Sequence, residues 1–215
     1  MLMVSAVSFA QNDAVISQTG SSNISDVDQV GADNYAGVNT NGIGNYARID
    51  QADENNDSQI VQNGNSNNAQ SYQSLESINN TSTQTQSGTG NNATSTQRYG
   101  TENQATSTQS GDYDTATTTQ AGGNNNVATT NQSFGYYNTA TTTQHDGDYN
   151  EATTNQALGN NNTATTTQEH GDYNESLTSQ YGSWNTSDVN QNGHCHYSDV
   201  FQNGYNNQSY VTQSN

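Results

Sequence analysis

Small or apolar side chains alternate with polar ones in short runs along this chain, and each run closes on a glutamine. The segment Asn138-Thr139-Ala140-Thr141-Thr142-Thr143-Gln144 is representative. In an extended strand alternate residues share a face, so Asn138, Ala140, Thr142 and Gln144 line one side and Thr139, Thr141 and Thr143 the other. The stretch that follows, His145 to Tyr149, is short, polar and glycine-bearing, as a tight arc requires. The predicted unit is one strand plus one arc.

The unit recurs every eleven or twelve residues. Glutamines mark it from Gln18 and Gln29 through Gln51, Gln62, Gln73, Gln84 and Gln97 to Gln144, Gln168, Gln180, Gln191, Gln202 and Gln213, with Thr40 in the place of one. A fixed short period is the signature of a stacked-repeat architecture. The face carrying the recurring residues is expected inside, because only a stacked interior demands the same side chain at every level. The column two places before the glutamine is zoned: Ile16, Val27, Val38, Ile49 and Ile60 near one end, Val189, Val200 and Val211 near the other, and small hydroxyl residues between, starting with Ser71 and Ser82. Asp26, Asp28, Asp50, Asp188 and Asp199 fall on the opposite face, where a charge stays in water.

Units come in two kinds. Residues 117–119, 141–143 and 165–167 read Thr-Thr-Thr, whereas 129–131 and 153–155 read Thr-Thr-Asn, in alternation. The true period is therefore a pair of units, about 22–24 residues. This predicts an all-β β-solenoid with two strands per turn and about nine turns, stacked in amyloid-like cross-β fashion to roughly 43 Å. A buried amide without a partner costs about 1–3 kcal/mol. Ladders of identical amides remove that cost, with Gln62, Gln97, Gln144, Gln168, Gln191, Asn67, Asn138 and Asn162 as core ladder residues. A two-residue insertion is placed near Thr85–Gln86, and Asp114 and His196 stand in inward asparagine places.

Composition alone argues the other way. With 27% hydrophobic residues and a formal charge of -18, such a chain ordinarily fails to bury enough surface to offset the entropy of ordering. The periodicity overrides that prior, and the absence of proline suits a sheet in which every N–H is needed. Residues 1–10, MLMVSAVSFA, are apolar and end in small residues, which reads as the remnant of a secretory signal peptide; residues 11–215 form the repeat domain. No stretch reaches the ~20 apolar residues of a membrane helix. Arg48 and Arg98 are the only basic side chains, which disfavours a nucleic-acid partner.

The pattern Gln-x-Gly-x-x-Asn-x-Ala-x-x-x-Gln, intact in Gln62–Gln73 and Gln86–Gln97, resembles the curlin repeat of curli fibre subunits, and the resemblance extends over residues 11–215. It implies a secreted bacterial β-solenoid that polymerises end to end into extracellular functional-amyloid fibres at the cell surface, for biofilm matrix and adhesion. It also implies a nucleating minor subunit and an outer-membrane secretion pore as partners, beside the homopolymer itself. The chain carries more repeats than is usual for the family.

The residues themselves add a mechanism. The first unit after residue 10, with Ile16 and Gln18, and the last, with Val200, Val211 and Gln213, keep the interior pattern, so each end is expected to template another copy. Stacked carboxylates at Asp146, Asp148, Glu169 and Asp172 are expected to oppose assembly by repulsion that acid, salt or calcium relieves. His145, His170, His194 and His196 with Cys195 fall short of zinc spacings and read as polar arc residues; no metal, cofactor or catalytic residue is assigned. A rival reading is ice binding by an outward Thr-x-Thr face built from Thr117, Thr119, Thr141, Thr143, Thr165 and Thr167, preceded by Thr94 and Thr96.

Overall fold

The computed structural model describes residues 11–215; the segment expected to be a signal remnant, 1–10, lies outside the described residues. Among these residues eighteen strands alternate between two walls. One wall, sheet A, holds β1 (Asp13–Ser21), β3 (Tyr35–Ile43), β5 (Asp57–Asn65), β7 (Thr81–Thr89), β9 (Gln104–Asp112), β11 (Val127–Tyr136), β13 (Glu151–Ala157), β15 (Glu175–Ser183) and β17 (Tyr197–Tyr205). The other, sheet B, holds β2 (Ile24–Gln29), β4 (Tyr46–Gln51), β6 (Asn68–Ile78), β8 (Asn92–Thr101), β10 (Thr115–Ala121), β12 (Thr139–His145), β14 (Thr163–Glu169), β16 (Thr186–Asn192) and β18 (Gln208–Ser214). Each sheet is nine-stranded, its neighbours are two strands apart in sequence, and its pairings are parallel and in register, as in Ala116↔Ala140↔Ala164. The molecule is a parallel β-solenoid of nine turns with two strands per turn. Among the described residues no helix is long and apolar enough to cross a membrane.

The recurring face is the buried one. Ala69, Ala140, Thr142, Gln144 and Gln168 are fully shielded, while Thr141 and Thr143 lie half-exposed on the outer face. Among the described residues the one hydrophobic cluster joins Ala36, Val38, Ala47, Ile49, Ile60 and Ala69 near the N-terminal end, with Val27 against it. From Ser71 upward the same positions carry hydroxyls, apart from Gln84 above Ile60, so the middle of the molecule is held without an oily core. Several of those hydroxyls, among them Ser95, Thr130, Thr142 and Thr154, find no hydrogen-bond partner.

Register corrects one detail of the sequence reading. Gln62 pairs with Gln86, not Gln84, while Ile60 faces Gln84 and Ser58 faces Ser82. The extra two residues therefore sit in the preceding arc, at Leu75 and Glu76, where the pairing of β6 with β8 shifts between Ser74 and Ser77. An insertion is cheap in an exposed arc, whereas two extra residues within the strand would break the column of buried glutamines. Spacing between glutamines does not tell these places apart.

The arcs are tight because glycine lines them. A Cβ on Gly64 would collide with the carbonyl oxygen of Gly88, and one on Gly159 with that of Gly182, so successive arcs nest backbone against backbone.

Candidate functional site

Two continuous columns of glutamine amides run through the interior. In sheet B, Gln51 Nε2 donates to Gln73 Oε1 at 2.9 Å, and the chain of bonds continues through Gln97, Gln120, Gln144, Gln168 and Gln191 to Gln213. In sheet A it runs from Gln62 through Gln86, Gln109, Gln132, Gln156 and Gln180 to Gln202. The second hydrogen of each amide crosses the zipper: Gln144 Nε2 also donates to Val127 O at 3.0 Å, and reaches Asn150 O at 2.9 Å. One side chain thus binds its own sheet along the axis and the opposite sheet across it. Every ladder donor points toward the C-terminal end, so the columns are polar.

Asparagines work differently from the amide-on-amide ladder expected of them. Asn67 Oδ1 accepts from the backbone N of Asn91 at 3.0 Å, and Asn67 Nδ2 donates to Gly88 O at 3.0 Å. Asn138 and Asn162 repeat this: Asn138 Oδ1 accepts from Asn162 N at 3.1 Å, and their Nδ2 groups donate to Gly159 O and Gly182 O. Each asparagine staples its own corner to the next arc through backbone groups. A side-chain bond between successive asparagines joins only some levels, such as Asn162 Nδ2 to Asn138 Oδ1 at 3.0 Å.

Two places interrupt the columns. Thr40 sits between Gln18 and Gln62 in register, so Gln18 is cut off from the ladder and its Nε2 turns to Ser25 Oγ at 2.7 Å. Asp114 is fully buried in the asparagine column. Its Oδ1 accepts from Asn138 N and Nδ2, but its Oδ2, in the place from which Asn91 and Asn138 donate to glycine carbonyls, has no partner. Burial, together with the nearby Asp112 charge, pushes this carboxyl up to about 6 against the hydrogen bonds from Asn138.

At the two ends the inner columns open to solvent. Ile16 is 49% exposed where Ile49 and Ile60 are at 0%. Gln18 is exposed, and Val211 and Gln213 are half-buried, while Val200 is shielded at 5%. A cleft of about 610 Å3 opens at the C-terminal rung, lined by Val200, Gln202, Asn207, Ser209 and Val211. Among the described residues β1, β2, β17 and β18 are each paired on one side only.

In the arcs that lead from sheet B to sheet A, the residue after the glycine caps the rung below. Asp148 Oδ1 accepts from Asn124 N at 2.7 Å, Asp172 Oδ1 from Asp148 N at 2.8 Å, and His194 Nδ1 from Asp172 N at 3.0 Å. Asp148 and Asp172 therefore accept backbone N–H groups, a role that their reading as repelling carboxylates missed. The recurrent Asn, Asp and His in that place was the available signal. His145 Nδ1 lies 2.7 Å from Asp146 Oδ2, and His170 Nε2 lies 3.9 Å from the same oxygen. His196 N donates to Asn174 Oδ1, and Cys195 is exposed and free. No group of three or more His, Cys, Asp or Glu is placed to hold a metal ion among the described residues.

On the outer face of sheet B, Thr94, Thr117, Thr141 and Thr165 fall in one column and Thr96, Thr119, Thr143 and Thr167 in another. Thr115, Thr139 and Thr163 add a third, which makes a three-by-three grid over β10, β12 and β14. Sequence reading named two of these columns and missed the third.

A family model described as Curlin associated repeat matches residues 159–193, the stretch that holds β14, β15 and β16. No curated protein matches the chain. The matched repeat and the solenoid fold are consistent with a structural, curlin-repeat protein.

Two expectations follow from this interior. Gln144→Leu strands the amides of Gln120 and Gln168 and the carbonyls of Val127 and Asn150, so it lowers stability by about 3 kcal/mol or more, whereas Thr142→Val removes an unpartnered hydroxyl and raises it by ~1 kcal/mol. Urea midpoints of both variants check the pair of signs. For Asp114, the carboxyl is raised in the folded state from an ordinary value of 3.8 to about 6, so its contribution is complete below pH 3.8 and is lost as pH rises through 6. Asp114→Asn therefore gains stability over the parent by an amount that grows between those pH values, on the order of 2 kcal/mol in all, and is flat above. A difference that does not change with pH contradicts this.

Proposed function

We propose that this chain is a structural subunit of curli-like, secreted bacterial functional-amyloid fibres that assemble head to tail and serve as biofilm matrix and surface adhesion. The observation that carries the proposal is the match between the two open ends. If β17 of one copy continues onto β1 of the next in the prevailing register, Gln202 meets Gln18, Val200 meets Ile16 and Gly204 meets Gly20. If β18 likewise continues onto β2, Gln213 meets Gln29 and Val211 meets Val27. The polarity of the ladder fits the same direction. The Nε2 groups of Gln202 and Gln213 lie at the donor end, and Gln29, whose Nε2 donates to Gln51 Oε1, lies at the acceptor end. A contact between unlike surfaces that repeats along an axis gives an open filament rather than a closed ring.

In this reading residues 1–10 are what remains of a secretory signal and residues 11–215 are the fibre-forming domain. Export passes through a dedicated outer-membrane pore, a related minor subunit nucleates growth, and the fibre stands outside the cell. The role is structural, without catalysis.

Ice binding is a second reading, favoured by one observation: the in-register threonine grid on sheet B repeats every ~4.8 Å along the axis and every ~6.7 Å along the strand, an ordered lattice of methyl and hydroxyl groups. Threonine's strand preference accounts for the same residues without a ligand.

Ile16→Asp combined with Val211→Asp places charge at both ends, at positions already in contact with water. It is expected to lengthen the lag and slow the elongation of fibres followed by an amyloid dye and electron microscopy. Parent-like growth of that variant would overturn the end-to-end junction. Ice recrystallisation assayed on freshly prepared monomer is expected to proceed as in buffer; inhibition that Thr141→Tyr abolishes would instead establish the second reading.

A further inference from the structure

The arcs that lead from sheet A to sheet B carry a strip of aromatic and other large apolar side chains that the fold leaves at least half exposed. From β11 upward the strip contains Phe134, Tyr136 and Tyr137, then Leu158, Trp184 and Tyr205, each at least half exposed. Several sit where the backbone resists them. Tyr137 has φ 58, Phe134 φ 54, Leu158 φ 57 and Trp184 φ 63, the left-handed region that a bulky residue avoids. Other rungs fill the place of Tyr137 and Trp184 with Gly44, Gly90, Asn161 or Asn206, residues that accept this conformation. Large rings at these positions strain the backbone and bury little, which points to a use outside the fold.

The surroundings say what kind of partner fits. Residues 133–137, 157–161, 181–184 and 203–206 contain no carboxylate and no basic side chain, although the molecule as a whole carries a formal charge of -18. The opposite corner holds Asp146, Asp148, Glu169 and Asp172 with three histidines. A charged ligand gains nothing on the aromatic strip. A dry apolar partner is also a poor fit, because amides are interleaved with the rings: the side chains of Asn161 and Asn206 take part in no hydrogen bond of the fold among the described residues, and burying them unpaired would be costly. Flat rings alternating with free amides match a ligand that is apolar on its faces, rich in hydroxyls at its edges and uncharged.

The spacing agrees. Tyr113 and Tyr137 stack at 5.2 Å between centroids, and the stack stops there, with Asn161 in the next rung and Trp184 above it. Tyr137 and Trp184 are thus two rungs, about 9.6 Å, apart along the axis. Exposed rings two rungs apart, with the Asn161 amide in the rung between them, offer successive contacts to a chain of sugar rings that runs along the axis.

We propose that this edge is a docking strip for a neutral polysaccharide, a linear hexose polymer lying along the solenoid axis. It lies on the flank, reaches the C-terminal rung through Tyr205, and stands whether or not the chain forms fibres. In a fibre the strip would recur in every copy and multiply a weak contact into a firm one.

Trp184 is the chain's one tryptophan and lies within the strip, so its emission is a built-in reporter. Titration of the monomer with a soluble β-1,4-linked glucose hexasaccharide is expected to give a saturable blue shift. Tyr137→Asn and, separately, Tyr205→Asn should each weaken binding about tenfold. Tyr137→Asn should leave far-UV circular dichroism unchanged and the urea midpoint equal or higher, since asparagine tolerates the left-handed backbone. Tyr173→Asn, in the opposite corner, should leave binding intact, and a uronic-acid hexasaccharide should bind far more weakly. The proposal fails if the neutral sugar produces no saturable shift, if Tyr137→Asn and Tyr205→Asn both bind like the parent, or if the emission shifts with protein concentration alone, which would show a second copy covering the strip.

Discussion

The buried glutamine amide is the interaction on which this molecule depends. It resolves a contradiction between composition and order: a chain with 27% hydrophobic residues has to place polar groups inside, and polar groups inside are unfavourable unless paired. Stacking copies of the same amide one rung apart supplies a donor for each acceptor, and the spare hydrogen ties the facing sheet, as Gln168 does to Glu151 O. The same group therefore sets the rung spacing and the separation of the walls. Asparagine at the corners completes the scheme through the backbone, and the glycine that meets it lets successive arcs nest.

Such an interior tolerates change unevenly. At the corners an insertion is absorbed, as Leu75 and Glu76 show, because nothing there has to meet a partner across the zipper. Within the columns a departure leaves a mark. Thr40 breaks one ladder and diverts Gln18 to Ser25, and Asp114 leaves a carboxyl oxygen facing a place where its neighbours donate. Hydroxyl columns lie between these extremes, since Ser and Thr fill the space between the sheets while several of their oxygens remain unpartnered. Specificity of register comes from the amides, and packing volume from everything else.

Charge is excluded from the columns, apart from Asp114, and sorted around the outside. One corner gathers acids and histidines, where Asp148 and Asp172 accept backbone N–H groups from the rung below. The other corner gathers uncharged aromatics on a strained backbone. Tyr149 and Tyr173 stand on the same left-handed backbone at the acidic corner, so the two flanks differ in charge, while the two ends present the inner columns. Axial growth and lateral binding are separate properties of one repeated cross-section.

Much of this was legible in the chain. The glutamine beat, the alternation within Asn138–Gln144 and the pairing of Thr-Thr-Thr with Thr-Thr-Asn units determined the solenoid, its two strands per turn and its buried face, because a stacked interior imposes identical residues at identical phase. Sequence spacing could not decide between Gln84 and Gln86, since either keeps the alternation and only hydrogen-bonded register with Gln62 distinguishes them. It could not reveal that Asn67 binds backbone where Gln62 binds its like, because the two amides have the same chemistry and differ in reach by one methylene. Nor could it gather Tyr137 and Trp184 into one strip, for they are distant along the chain and become neighbours only when the arcs stack. Periodicity is a property of the chain and survives in the sequence; which atoms meet across one rung is a property of three-dimensional register, and only the folded molecule decides it.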